Sequence, residues 1–432
     1  MCGLILAPGG YDVSYVMDRM SYRGKENRRG RVWWAGWCLG HVRLAIQDMS
    51  GESDQPLLSS THATAFVGEI FNHNSYSELF FVDEVFNSDT DQIMQLDGFW
   101  SVVTVKTNGD VYAYTDYLGQ KPLYYWEKYS MVCSEIVPMF ELRPPPQLDR
   151  IYLANVIKFG YDYSGRTPYQ GIIQIPPGTR LFIDGKTKQP RMTTYWDWSR
   201  VRSSGETLIT RLARATQDRL IGERPIALLY SGGLDSSIVK YLLESMNAKV
   251  QLFSVDNDES EFQSGTTQIR LPEVTLNEAM EAMQVPVDLG SVLPQYQLAK
   301  ALYQQGYNVC LSGDGADELF GGYRRQEEYD AQYSDVFCEL PYYHLPRLDR
   351  IMMRWTVELR SPFLAPDVIK YALALPYKKR IGKNHLKEVF SGLIPKTILN
   401  RAKHPLKTKE VINGGIEYRK QLVQHFITQN GG

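Results

Sequence analysis

Three short stretches hold residues whose types and spacing could do chemistry, and the first is the opening "MCGLILAPGG". A small residue at position 2 lets an aminopeptidase remove Met1, which leaves Cys2 with both a thiol and a free α-amine, a nucleophile beside its own base. Taken alone, it reads equally well as an incidental small residue. The second stretch, "LLYSGGLDSSIVKYLLESM", reads as a buried strand ending at Tyr230, a glycine-containing polar loop, and an apolar-periodic helix. Backbone N–H groups of Ser231, Gly232 and Gly233 can close on an anion there, and Ser236 and Ser237 sit at a helix N-terminus whose partial charge favours one. Asp235 would repel a bare phosphate and makes sense as a ligand of Mg2+ that bridges phosphates; the bland alternative is a capped strand-to-helix turn. The third stretch, "NVCLSGDGADELFGGY", again reads strand, loop, turn. Its carboxylates Asp314, Asp317 and Glu318 repel one another unless a metal, a cationic substrate or a raised pKa compensates, or unless the loop is simply solvated.

The elements that must position these residues fall into two halves. Up to about residue 200 short apolar and aromatic runs alternate with turn signals, as in "DGFWSVVTVKTNGDVYAYTDY" with Asn108-Gly109 as a hairpin turn, so this half is strand-rich. From about 206 the period changes: "ETLITRLARATQDRLIG" puts Leu208 and Leu212, and Ile209 and Ala213, at helical spacing, and "PIALLY" follows as a buried strand. The expected domains are 1–200 and 201–432, although the proline cluster at 144–146 tempts an earlier cut. Gly185-Lys186-Thr187 imitates the tail of a phosphate-binding loop, but Arg180 stands where the partner glycine belongs. Arg360 in "VELRSPFLAPDVI" and Lys383 in "RIGKNHLKEVF" read by themselves as helix-surface cations.

Bulk properties narrow the partners. The 432 residues are 43% hydrophobic with a formal net charge of -2, which supplies ample core and no electrostatic footprint for nucleic acid or an anionic membrane. No run approaches the ~18 apolar residues of a membrane span, and no secretory pattern opens the chain, so the expectation is a cytoplasmic protein acting on small molecules. Five scattered cysteines and seven scattered histidines disfavour a disulfide framework and a zinc site.

Met-Cys-Gly at the N-terminus, "HVRLAI", "SGGLDSS" and "SGDGADELFGGY", in this order, resemble the glutamine-hydrolysing asparagine synthetases over essentially the whole chain. The resemblance implies an N-terminal-nucleophile glutaminase domain, a four-layer α-β-β-α sandwich, followed by an α/β ATP-pyrophosphatase domain with a parallel sheet. It implies that Cys2 attacks the glutamine amide with Gly68 in the oxyanion hole, and that Arg43, Ile46, Glu69 and Asp89 bind glutamine. In the second domain it implies that Ser231, Gly232, Gly233, Asp235, Ser236 and Ser237 hold the pyrophosphate of ATP, that Val255, Ser312 and Gly313 lie near the adenosine, and that Asp235 and Asp317 bind Mg2+. Asp314 would take a proton from ammonia and Lys383 would neutralise phosphate charge. The substrates implied are glutamine or ammonia, aspartate and ATP, and a homodimer is expected by similarity alone.

The chain departs from the family pattern in places. Val67-Gly68-Glu69 replaces Asn-Gly-Glu, so the side-chain amide of the oxyanion hole is missing, which predicts slow glutaminase activity unless Asn72 or Asn74 compensates. "RGKE" at 23–26 replaces R-G-P-D, Ala365 replaces an aspartate, Tyr230 replaces an aliphatic residue, and the stretch after Val255 is short. These changes keep a second reading in view, a related ligase that amidates or cyclises another carboxylate or uses free ammonia. A third, a dead nucleotide-binding protein, predicts damage to the phosphate loop, and that loop is intact.

Overall fold

The structure is a computed structural model, and it describes residues 2–26, 28–73, 77–88, 90–255, 265–287, 290–401 and 415–430. Two six-stranded antiparallel sheets occupy the first half. One is ordered Ile172–Gln174, Tyr124–Trp126, Met131–Cys133, Gly3–Pro8, Trp37–Arg43, Arg28–Trp34; the other Pro190–Thr194, Thr179–Ile183, Val111–Thr115, Gly98–Lys106, His62–Ile70, Leu57–Leu58. The predicted hairpin turn is present: the Lys106 N–H donates to the Asp110 carbonyl, and Gly109 has φ +86°. The false phosphate loop is a turn in which the Asp184 carboxylate accepts from the N–H groups of Lys186 and Thr187.

Period-two alternation sorts the side chains of these strands. Leu4 and Leu6 join Leu39, Ala63, Ala65, Val67, Val103 and Leu181 in one buried cluster between the sheets. Ile5 and Ala7 point the other way, into a cluster with Val16 and Met17 of the helix Ser14–Arg19. Phe66 and Val102 point away from the inter-sheet layer on the other side and pack with Leu79, Val82 and Phe86 of the helix Glu78–Ser88. Cys2 continues the pattern of Leu4 and Leu6 and lies in the inter-sheet cluster together with Val67.

A five-stranded parallel sheet organises the second half in the order Thr267–Ile269, Gln251–Val255, Ile226–Leu229, Val309–Leu311, Glu358–Arg360. In chain order that is 3-2-1-4-5, so the direction of winding reverses between Ile226–Leu229 and Val309–Leu311, and the crevice at the carboxyl ends of these two strands is where such sheets bind ligands. The helix Leu208–Asp218 forms where the period predicted it, capped by the Thr207 side chain. The strand before the glycine loop is Ile226–Leu229, one residue short of expectation, although the Tyr230 N–H still donates to the Phe253 carbonyl of the neighbouring strand at 2.8 Å.

The halves share a seam that is both apolar and charged. One cluster runs continuously through Phe71, Tyr117, Trp196, Leu208, Leu228 and Leu364. The Tyr117 hydroxyl donates to the Leu364 carbonyl at 2.9 Å, and Arg219 grips Asp97 at 2.8 Å. No described helix is long and apolar enough to cross a membrane, and all five cysteines are free thiols.

Candidate active sites

At the carboxyl end of Ile226–Leu229 the chain turns through Ser231–Gly233, with Gly232 at φ +71°, into the helix Leu234–Ser245. No side chain caps that helix, so its first N–H groups keep their capacity for an anion. The loop is ordered from within: Ser231 Oγ lies 3.1 Å from Ser236 Oγ and accepts the Gly233 N–H at 3.2 Å, and Ser237 Oγ donates to the Tyr230 hydroxyl at 3.3 Å. Arg401 closes it from outside by donating to the Gly232 carbonyl at 2.9 Å.

The second loop, Ser312–Gly315, follows the neighbouring strand and touches the first. A Cβ on Gly313 would stand 2.7 Å from the Asp235 Cβ, so only glycine lets the loops meet. Lys383 then bridges them, its Nζ 2.5 Å from Asp235 Oδ2 and 2.6 Å from Asp317 Oδ1. Burial works against the Lys383 charge, but the two carboxylates outweigh it and hold the ammonium above the ordinary lysine range. Asp314 is half-buried with its carbonyl accepting from Ser361 Oγ at 2.6 Å, and Val255 ends the next strand over. The structure therefore brings together Ser231–Ser237, Ser312, Gly313, Asp314, Asp317 and Lys383. Lys383 is not the helix-surface residue its context suggested: it sits at φ +58° and is buried.

The sequence motifs of the first half converge around Cys2. Its thiol is buried, 7% exposed, and faces the Leu44 carbonyl at 4.0 Å. Burial pushes the thiol pKa above its ordinary value, against the lowering pull of the N-terminal charge, the Leu44 contact and Arg43. Val67 lies in the same apolar cluster and brings no donor. Gly68 has φ +141°, and a Cβ there would collide with the Phe99 carbonyl. His41 donates Nε2–H to the Phe66 carbonyl at 3.0 Å; burial takes its pKa down to about 3, so the ring is neutral and committed to the strand that carries Val67 and Gly68. Asn72 does not substitute for the missing amide, since it donates to the Gln95 carbonyl at 2.6 Å and accepts the Asp97 N–H at 2.8 Å. Asp89 and Asn74 lie outside the described residues.

Arg43 and Ile46 are both engaged. The Arg43 guanidinium donates to Asp54 at 2.8 Å and to the carbonyls of Ser50 and Asp48 at 2.8 and 2.5 Å, and the Ile46 carbonyl accepts the Glu223 N–H at 2.9 Å. Glu69 reaches the seam, where it accepts from Gln47 at 2.5 Å and lies 3.7 Å from Arg360. Burial, then the nearby Glu358 carboxylate, push Glu69 up to about 7, against the pull of Arg360.

Sequence reasoning missed Glu358 and the true place of Arg360. Both are fully buried on an edge strand of the parallel sheet, paired at 2.6 Å, and the Arg360 carbonyl holds the Ser312 N–H at 3.0 Å. The alternation E-L-R on a buried strand was the available signal.

The profile of the asparagine synthase family matches residues 207–332 and 325–425, and that of a glutamine amidotransferase domain matches residues 1–196. The chain belongs to the asparagine synthase family. Its similarity extends to named members of this family. The glutamine-hydrolysing asparagine synthetase B of Escherichia coli is 24% identical, covering 88% of this chain and 75% of the relative. A putative asparagine synthetase of Methanocaldococcus jannaschii is 27% identical over 80% of this chain and 70% of its own length. An amidase of Penicillium rubens is 24% identical, covering 98% and 74%. This asparagine synthase family member is thus a two-part chain with a glutamine amidotransferase domain ahead of the synthetase domain.

Proposed function

We propose that the chain converts aspartate to asparagine with nitrogen taken from glutamine, and that its glutaminase half is slow. The first half, to about residue 200, is read as an N-terminal-nucleophile sandwich and the remainder as an ATP-pyrophosphatase domain. With Met1 removed, the α-amine of Cys2 takes the proton that burial holds on the thiol. Sulfur then attacks the glutamine amide carbon, ammonia leaves carrying that proton, and water releases glutamate and restores the thiol. On this reading Glu69 and Asp89 are assigned to the substrate ammonium, and Arg43, exchanging part of its bonding to Asp48, Ser50 and Asp54, is assigned with the Ile46 backbone to the carboxylate end. The Gly68 N–H is the oxyanion donor that remains, and absence of the second costs about 3 kcal/mol, a few hundredfold in rate.

In the second half the carboxylate attacks the α-phosphorus of ATP, pyrophosphate leaves into the Ser231–Ser237 loop, and an acyl-adenylate remains, with Val255, Ser312 and Gly313 against the adenosine. Ammonia attacks the acyl carbon, Asp314 accepts its proton, and AMP departs. The donor chemistry fits Mg2+: Asp235 and Asp317, hard oxygen donors already gathered around the Lys383 ammonium, would hold it. Among the described residues no larger cluster of His, Cys, Asp and Glu is gathered as a metal cage. When bound, the ion would supply charge neutralisation on the phosphates, and Lys383 adds its own.

The observation that carries this reading is the meeting of the two loops at the reversal of the parallel sheet, tied by Lys383. The test is ATP-dependent pyrophosphate release across a panel of carboxylic acids. Release with aspartate and formation of asparagine are expected. Release with another acid and none with aspartate would remove the substrate assignment, and none with any acid would remove the reaction.

A further inference from the structure

We infer that Asp349, in the synthetase half, is a positioning residue for Cys2 and acts on it through Arg23. The inference rests on the reading of Cys2 as the nucleophile. Arg23 spends each of its three nitrogens on a different partner: Nε donates to the Cys2 carbonyl at 2.8 Å, Nη1 to Glu135 at 2.5 Å, and Nη2 to Asp349 at 2.8 Å. Asp349 accepts a further bond from Lys121 Nζ at 2.9 Å. The four side chains are between 0% and 4% exposed, so two cations and two carboxylates balance one another without water.

Geometry makes this more than a docking contact. A guanidinium is a rigid planar fork, so the direction of Nε–H is set by where Nη1 and Nη2 are held. Glu135 alone would leave the fork free to pivot, whereas Asp349 fixes its second prong. Asp349 stands on the helix Leu345–Met353, 326 residues along the chain from Arg23. The group it orients is the peptide carbonyl of Cys2 itself, bonded directly to the α-carbon that bears the amine and, through Cβ, the thiol. Displacement there moves nucleophile and base together, relative to Gly68.

The experiment compares wild type with Asp349→Asn for product formation from glutamine, for product formation from ammonium salt, and for the pH dependence of Cys2 alkylation by iodoacetamide. The expected result is a 10- to 100-fold fall (roughly) in glutamine-dependent kcat/KM, a change of less than about twofold with ammonium salt, and an altered alkylation profile. Asp349→Glu, which keeps the charge, should recover most of the loss. Should Asp349→Asn not accumulate as folded protein, Asp349→Glu carries the same comparison with a smaller selective loss. A parallel fall with both nitrogen donors, or no fall with glutamine, overturns the inference. Cys2→Ala separates the two claims, because glutamine-dependent synthesis surviving in it would sink the nucleophile assignment whatever Asp349→Asn shows.

Discussion

The crevice at the end of the parallel sheet takes its chemistry from loops that leave adjacent strands, whereas the Cys2 pocket lies inside the layer between two antiparallel sheets. In the crevice, two carboxylates only about a fifth exposed (22% and 18%) are brought together and offset by one buried lysine. In the pocket, burial dominates: it raises the thiol and the Glu69 carboxyl and lowers His41. A loop site can therefore keep its polar residues at little cost, while an inter-sheet site must balance each charge locally. Substitutions should be tolerated very differently in the two places.

The comparison can be sharpened from the largest effect downward. Lys383→Met should cut pyrophosphate release by about a thousandfold, roughly 4 kcal/mol, with either nitrogen donor, and leave glutamine hydrolysis unchanged; an equal loss of hydrolysis would show that the sites are not separable. Val67→Asn should raise glutamine-dependent synthesis by up to a few hundredfold, about 3 kcal/mol, without changing the rate with ammonium salt.

Acid stability tests the balanced network. Burial raises Asp349, but Arg23 and Lys121 outweigh it and hold the carboxyl at about 2. This depressed value stabilises the fold above the unfolded pKa, and the contribution, roughly 2–3 kcal/mol, is lost as pH falls from about 4 to below 2. Urea midpoints should show that slope, and Asp349→Asn should flatten it.

Glu69 titrates in the opposite sense. Held up to about 7, it is mainly anionic, as the proposed contact with the substrate ammonium requires, only above that pH. KM for glutamine should therefore fall as pH rises through 7, by up to about tenfold per unit below it, and Glu69→Gln should remove the dependence. The smallest effect expected is from Asn72→Ala, about 1 kcal/mol of stability from its two local bonds with no selective loss of glutaminase rate.

Legibility in the sequence followed the distance over which each interaction acts. The helix at Leu208–Asp218 and the hairpin at Asn108-Gly109 were readable because a few neighbouring residues decide them. The turn from strand into helix at Ser231–Gly233 was readable for the same reason. Arg360 was misread as surface, because a cation in apolar text looks alike on a helix face and on a strand whose partner, Glu358, is two residues away. Arg23 was noticed only as part of a broken motif, and Asp349 carried no signal, since no local pattern marks a partner 326 positions off.

By itself the sequence determined the loop chemistry, the alternation that sends Cys2 and Val67 to one layer, and the loss of an amide donor there, because each depends on residue type and a period of two or 3.6. Only the tertiary structure decided which charges meet. It set Lys383 between Asp235 and Asp317, bonded Arg43 to its own loop, and placed Asp349 behind Arg23 and the Cys2 carbonyl. The physical reason is that burial makes electrostatics strong only where chain packing removes water, and that packing joins residues the sequence keeps hundreds of positions apart.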